Sequence, residues 1–297
     1  VSTARRRAPA RPRASRTGRR YPAVTVAAAA AVVLGLIGTH ATAPAAPGAA
    51  GAVRRIGQDP PPPLFPDAEL RGWTARLDGQ RKAADALYAR WRAEHGTARD
   101  DRAFVRWAAS RVPGPSPEAV RAAGLGQVRG LARTRTAAGR KAAGWLAAHG
   151  ERDIWLLYLE DQRALMPRAE GEAARARLDA ALRLAGTIND RLAGHYRRER
   201  PTVLDPALRP DRTAAPAAGC ACAYPAAPAA LSAAAVAVLT ALAPRRAAEY
   251  RWMQAQVAHG RLYTADHLQA DLLAGALLGS LTGDYIRAAD SAGRSRA

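Results

Sequence analysis

The chain has 297 residues and a formal charge of +20, with 48% hydrophobic and only 5% aromatic residues. That length is enough for one large domain or two small ones with a buried core. Cys220 and Cys222 are the only cysteines, with no His or further Cys at ligand spacing, so no metal site and no cofactor are expected. Eight arginines lie in the first 20 residues, ahead of the first acidic residue, Asp59. The remaining excess charge is dispersed along the chain as arginine, since Lys82 and Lys141 are the only lysines. Such a surface suits small anions or acidic headgroups. No aromatic-interleaved basic patch, zinc spacing or helix-turn-helix signature accompanies it, so nucleic acid is not an expected partner.

Basic residues through Arg20 precede an apolar run at about residues 21–38 and small residues from Thr39 onward. Residues 1–45 read as a cleaved secretory signal or an uncleaved anchor. Either predicts an exported domain, secreted or attached to the cell envelope. Residues 46–66 read as a Pro/Ala-rich linker stiffened by Pro60 to Pro63. Cys220 and Cys222, one residue apart, form either a local disulfide or a pair of free thiols.

Ala-rich composition and 3.6-residue periodicity predict an all-α protein. Leu70, Trp73, Leu77, Ala84, Leu87 and Trp91 mark a first helix to about residue 95, and Phe104 and Trp107 a second over 100–112. Pro113 and Pro115 break the pattern. Ser116 and Pro117 start a helix running over about 118–148, and another covers 151–165. Leu178, Leu182, Ala185, Ile188 and Leu192 give one clean face over 172–200, closed by Pro201. After a proline-rich loop, helices are predicted from Pro228 to about 243, over 245–261, and from about Leu268 to Ala292. The apolar stretches 229–243 and 268–282 are too short to span a bilayer and read as buried bundle helices. Residues 67–150 are expected to pack on a core of 151–292.

Three segments carry chemistry. Arg261, His267 and Asp271 follow Arg-x5-His-x3-Asp spacing. If a helix begins near His267, Asp271 lies one turn on and holds one imidazole nitrogen, leaving the other free to attack. Upstream, Ala193 to Pro201 ends in Arg200-Pro201, and Tyr224 to Ala230 opens a helix. In order, these resemble the type 2 phosphatidic acid phosphatase superfamily, which includes bacterial class A acid phosphatases and vanadium haloperoxidases. The soluble acid phosphatases are the nearest in pattern. The resemblance covers about residues 150–290.

The resemblance implies a helical bundle of the phosphatidic acid phosphatase and haloperoxidase type. It implies hydrolysis of phosphomonoesters or another phosphate-bearing small molecule without a metal. His267 would form a phosphohistidine, Asp271 would orient it, and Arg200 and Arg261 would clamp the phosphate oxygens. The family's first motif has Lys where Ala193 stands. Its Pro-Ser-Gly-His is here Pro225-Ala226-Ala227-Pro228. A cation, a hydroxyl and the leaving-group acid are thus missing, although a turn at Pro228 keeps backbone amides that suit an anion. Slow hydrolysis, worst for alkyl esters, is expected, with an inactive anion-binding or interaction protein as the alternative. A haloperoxidase is disfavoured, because that branch uses the missing Lys and Ser-Gly-His. His195, His259, Tyr263 and Asp266 are the candidate substitute acids.

Overall fold

A computed structural model describes residues 49–209 and 222–294. The expected export segment, Cys220 and most of the proline-rich loop lie outside the described residues. The described residues belong to one unit spanning 42–297. They are all-α, with no strand and only an isolated antiparallel bridge between Glu199 and Cys222. In chain order the helices are α1 (Ala49–Gln58), α2 (Trp73–His95), α3 (Asp101–Arg111), α4 (Glu118–Thr134), α5 (Ala137–His149) and α6 (Asp153–Arg163). Then follow α7 (Arg168–Tyr196), the single turn α8 (Pro201–Leu204), α9 (Ala227–Leu242), α10 (Ala247–Tyr263) and α11 (Gln269–Arg294).

Helix α11 is the hub, packed against α9, α2 and α7. Its buried face runs through Leu272, Ala276, Leu277, Leu281 and Tyr285. Towards α9 it presents Gly275, Gly279 and Gly283, four residues apart and therefore on one stripe. A Cβ on Gly279 would overlap the Ala230 carbonyl oxygen, and one on Gly275 the Ala226 carbonyl oxygen. Glycine there lets two backbones meet, and α9 answers with Ala229, Ala230, Ala233 and Ala234. The abundant alanine is thus used where helices approach closely.

The aromatic residues of the N-terminal helices fill the other side of α11. Trp91 is 1% exposed and meets Phe104, Trp107 and Tyr285 edge-on. Helices α2 and α11 therefore share one core, across the boundary expected at residue 150.

Three local expectations are corrected. The stretch expected as linker 46–66 contains α1, which docks on α6 by burying Ala52 and Ile56. Arg55 bonds both carboxylate oxygens of Asp153, at 2.8 and 2.5 Å. His149 spans Asp153 at 3.1 Å and Asp59 at 3.0 Å, extending that anchor beyond the end of α1. The helix expected over 118–148 is two helices, interrupted at Arg135, because Thr136 caps α5 by accepting the Gly139 N–H. Ser116 does not cap α4; Pro117 occupies that position. Among the described residues no helix is long and apolar enough to cross a membrane.

Candidate functional site

The three sequence segments meet at one end of the bundle. Arg200 precedes Pro201, which biases it to extended backbone (φ −66°, ψ 149°), and it forms the N-cap of α8 with Pro201 at the first helical position. Directly before it, Glu199 bridges Cys222, and the Arg198 carbonyl accepts the Ala223 N–H at 2.6 Å. Cys222 is disulfide-bonded. The chain then turns through a cis Tyr224–Pro225 peptide, and the Ala226 N–H donates to the Asp271 carbonyl at 3.0 Å. The Tyr224 hydroxyl donates to the Pro113 carbonyl. Residues 198–200, 222–226 and 267–271 are thereby stitched together by backbone hydrogen bonds.

Arg261 lies in the last turn of α10, and the turn beyond it ends in Ala265 at φ +61°. That left-handed residue reverses the chain and sends His267 inward. His267 is 3% exposed, and its Nδ1 lies 2.8 Å from the Ala223 carbonyl oxygen. A carbonyl only accepts, so Nδ1 carries the proton and Nε2 keeps its lone pair. Burial, followed by the positive charge of Arg261, pushes the His267 pKa down to about 4; Arg200 acts in the same direction more weakly. His267 is therefore a neutral imidazole near neutral pH, with both expected arginines close enough to bias it.

Those two arginines are incompletely satisfied. Arg261 Nη2 donates to the Ala147 carbonyl at 3.0 Å and to Glu151 at 2.8 Å, and Nη1 lies 3.5 Å from Asp266. Its Nε is buried without a partner, and so is Nε of Arg200. A buried donor left unmade costs about 1–3 kcal/mol.

Asp271 takes a different place from the one expected. Helix α11 starts at Gln269, so His267 precedes the helix and the pair does not share a helical face. Asp271 Oδ2 instead accepts the Leu268 N–H at 2.8 Å, reaching back from the first turn as a capping residue does. The carbonyl of Ala223 performs the orienting role expected of the carboxylate. Asp271 lines a cavity of about 410 Å³ beside α4, and burial pushes its pKa up to about 6 against the opposing pull of Arg121 and Arg198.

The replaced positions are also placed. Ala193 sits in the last turn of α7 and brings no charge. Ala226 caps α9, with Ala227 and Pro228 as its first two residues. Ala226, Ala229 and Ala230 all use their amides inside the protein, and Pro228 has none, so this turn offers an anion at most the Ala227 N–H. That is less than the several donors expected of it.

Of the substitute acids, three make their contacts with residues other than His267. His259 accepts from Trp73 Nε1 at 3.3 Å and faces Glu69 at 3.4 Å. The Tyr263 hydroxyl accepts the Thr136 N–H at 2.8 Å. His195 is exposed against Tyr196. Asp266 is near enough for its charge to act on His267, but it also accepts the Thr264 hydroxyl at 2.8 Å and faces Arg261.

Sequence reasoning missed Arg135. From the α4–α5 junction it donates Nε to the Tyr263 carbonyl at 2.6 Å and Nη1 to the Leu208 carbonyl at 2.7 Å. It so ties the Arg261 turn to the segment following Arg200, and its Nη2 is buried without a partner. The only local signal was Thr136 with Gly139 three residues on, which marks a cap and says nothing of Arg135. Among the described residues, no group of three or more His, Cys, Asp or Glu side chains converges as a metal ligand set. No family model, curated protein or solved structure matches this chain.

Proposed function

We propose that the Arg200, Arg261 and His267 cluster is a phosphate site, and that the chain is a phosphomonoester hydrolase of the phosphatidic acid phosphatase type. One observation carries the reading. Two half-buried arginines, each with a buried and unpartnered Nε, act by their charge on a neutral imidazole whose Nδ1 is already fixed. Phosphate oxygens between the arginines receive charge-assisted hydrogen bonds, and His267 Nε2 attacks phosphorus to give a phosphohistidine. Without the family's Lys and Ser, charge stabilisation rests on the two arginines. A missing general acid costs about 10²–10⁴-fold in rate, so turnover is slow. The leader sequence and dispersed arginines support an exported protein at or near the cell envelope.

The test is release of phosphate from nitrophenyl phosphate by the purified protein at pH 4–8, beside His267→Ala. Slow release that disappears in the variant is expected. Equal activity of the two proteins, or no release and no phosphate binding by either, overturns the reading.

A second reading is favoured by the diversion of Asp271 to the Leu268 N–H and the loss of donors at 226–228. In it the chain is a pseudophosphatase that binds phosphate without turning it over. Phosphate or vanadate binding that needs Arg200 and Arg261, with no His267-dependent release, selects that reading.

A further inference from the structure

The cavity of about 410 Å³ beside α4 is separate from the proposed phosphate site, since none of Arg200, Arg261 and His267 lines it. Sites for small molecules span about 300–1,000 Å³, so this one suits a compact ligand. The start of α4, the segment 198–199 and the start of α11 enclose it. Val120, Ala123, Leu268 and Leu273 give it apolar surface. Val120 is 52% exposed, so an aliphatic side chain stands in water at this hollow.

Its charged lining is of both signs, with Arg121 and Arg198 against Glu199 and Asp271. Arg121 makes one long contact, from Nη1 to the exposed Glu118 at 3.5 Å. The Arg198 guanidinium has no ion pair among the described residues, although its backbone carbonyl is held by the Ala223 N–H. Both arginines are near enough for their charges to act on Asp271, yet neither pairs with it. Asp271 is 8% exposed, and its Oδ2 is pinned by the Leu268 N–H at 2.8 Å. Its Oδ1 has no partner among the described residues and keeps solvent access. A nearly buried carboxylate with one open oxygen is stabilised by a cation delivered to it.

We propose that this cavity binds a small zwitterion with an apolar body, an aliphatic amino acid or a dipeptide of such residues. The ligand carboxylate is taken by Arg121 and Arg198, and the ligand ammonium by Oδ1 of Asp271. The aliphatic side chain lies on Val120, Leu268 and Leu273 and is removed from water there. Nothing in this assignment depends on whether His267 attacks a phosphate.

Charge complementarity selects this class over its neighbours. Cations and a carboxylate that share a hollow without pairing leave a gap between opposite charges, and a molecule carrying both charges fills it. A plain organic anion would meet the arginines but would bring its charge towards Asp271 and Glu199. A plain organic cation would meet Asp271 but face the two guanidiniums. Burial raises Asp271 only to about 6, so at neutral pH it is a carboxylate able to hold an ammonium.

Calorimetric titration of the full chain at pH 7.5 tests it with leucine and with leucyl-leucine. The N-acetyl forms, which lack the ammonium, and the C-terminal amides, which lack the carboxylate, are titrated beside them. A zwitterion is expected to bind with a Kd of about 0.1–1 mM, the tighter of the two naming the source as free amino acid or peptide. Each blocked form should bind at least about tenfold more weakly, the effect of losing one charge-assisted hydrogen bond. Asp271→Asn keeps an oxygen for the Leu268 N–H. It should weaken the zwitterion by about tenfold or more and leave the N-acetyl form unchanged. Arg198→Gln should weaken the zwitterion and leave the amide unchanged, a crossed pattern that loss of folding cannot give. Ala123 is exposed on α4, so Ala123→Trp fills the cavity from outside the core and should abolish binding at an unchanged Tm. No binding of either zwitterion at millimolar concentration, blocked forms bound as tightly as the zwitterion, or binding that survives in folded Ala123→Trp overturns the assignment.

Discussion

At the scale of single residues, the site depends on donors that are held but not satisfied. Arg200 and Arg261 each keep a buried Nε without a partner, and lysine cannot replace that forked geometry although it keeps the charge. Arg200→Lys and Arg261→Lys are each expected to weaken phosphate binding by about 10–100-fold, the effect of losing one hydrogen bond to a charged group. Calorimetric titration with inorganic phosphate checks this. Arg261 should show the larger loss, since it also holds Ala147 and Glu151 and its replacement disturbs the end of α5. Equal binding by wild type and both variants would place the anion elsewhere. His267 illustrates a related point: a neutral carbonyl fixes its tautomer as well as a carboxylate would, but adds no negative charge to steady a cationic ring.

At the scale of elements, the site is held by helix contact and by one long-range tie. Gly279 lies where α11 touches the Ala230 carbonyl, so Gly279→Ala must separate α9 from α11. That overpacking is expected to cost about 1–3 kcal/mol, seen as a lower Tm and a lower denaturant midpoint. Gly186 on α7 is the control, because a Cβ there meets nothing within 4 Å. Gly186→Ala should stabilise by about 0.5–1 kcal/mol through helix propensity. The contrast separates close approach from helix-forming tendency. Arg135 makes a different kind of tie, joining the Tyr263 and Leu208 carbonyls. Arg135→Met removes two charge-assisted hydrogen bonds and is expected to cost about 2–4 kcal/mol. Unchanged stability would mean that water replaces the guanidinium at both carbonyls.

At the scale of the whole molecule, His267 and Asp271 oppose one another in their pH dependence. His267 falls from an unfolded value of about 6.5 to about 4. The unfolded chain then binds more protons, and stability is lost as pH falls through that window. Asp271 rises from about 3.9 to about 6. The native state binds the extra proton there, and stability is lost as pH rises through nearly the same window. The two slopes offset each other, so the pair makes the native state nearly insensitive to pH between about 4 and 6. Asp271→Asn removes one of them. That variant should lose up to about 3 kcal/mol between pH 6.5 and 4 relative to its own neutral-pH stability. Denaturant unfolding at several pH values measures it, and profiles parallel to the wild type would show that Asp271 titrates normally in the native state.

Much of the fold was legible in the sequence because helical periodicity is a local signal. The stripe of Trp73, Leu77 and Trp91 and the face of Leu178, Leu182 and Ile188 are buried, and Pro201 and Pro228 stand at helix starts. The order and spacing of Arg200, Arg261 and His267 were likewise readable, since each lies at the edge of a recognisable element. What sequence spacing misplaced was Asp271, because a separation of four residues implies a shared face only inside a helix, and α11 begins two residues after His267. Helix α1 escaped composition for another reason: Ala52, Ile56 and Arg55 are stabilised by α6 and Asp153, about 100 positions away. The same distance hides Arg135 and the Ala223 carbonyl, whose roles exist only once residues 198, 223, 263 and 267 are neighbours. Local periodicity determined that the chain is a bundle of helices with a cationic, His-bearing turn. Only tertiary packing decided which groups hold that histidine and which carboxyl faces the cavity, because those choices depend on burial and on long-range hydrogen bonds.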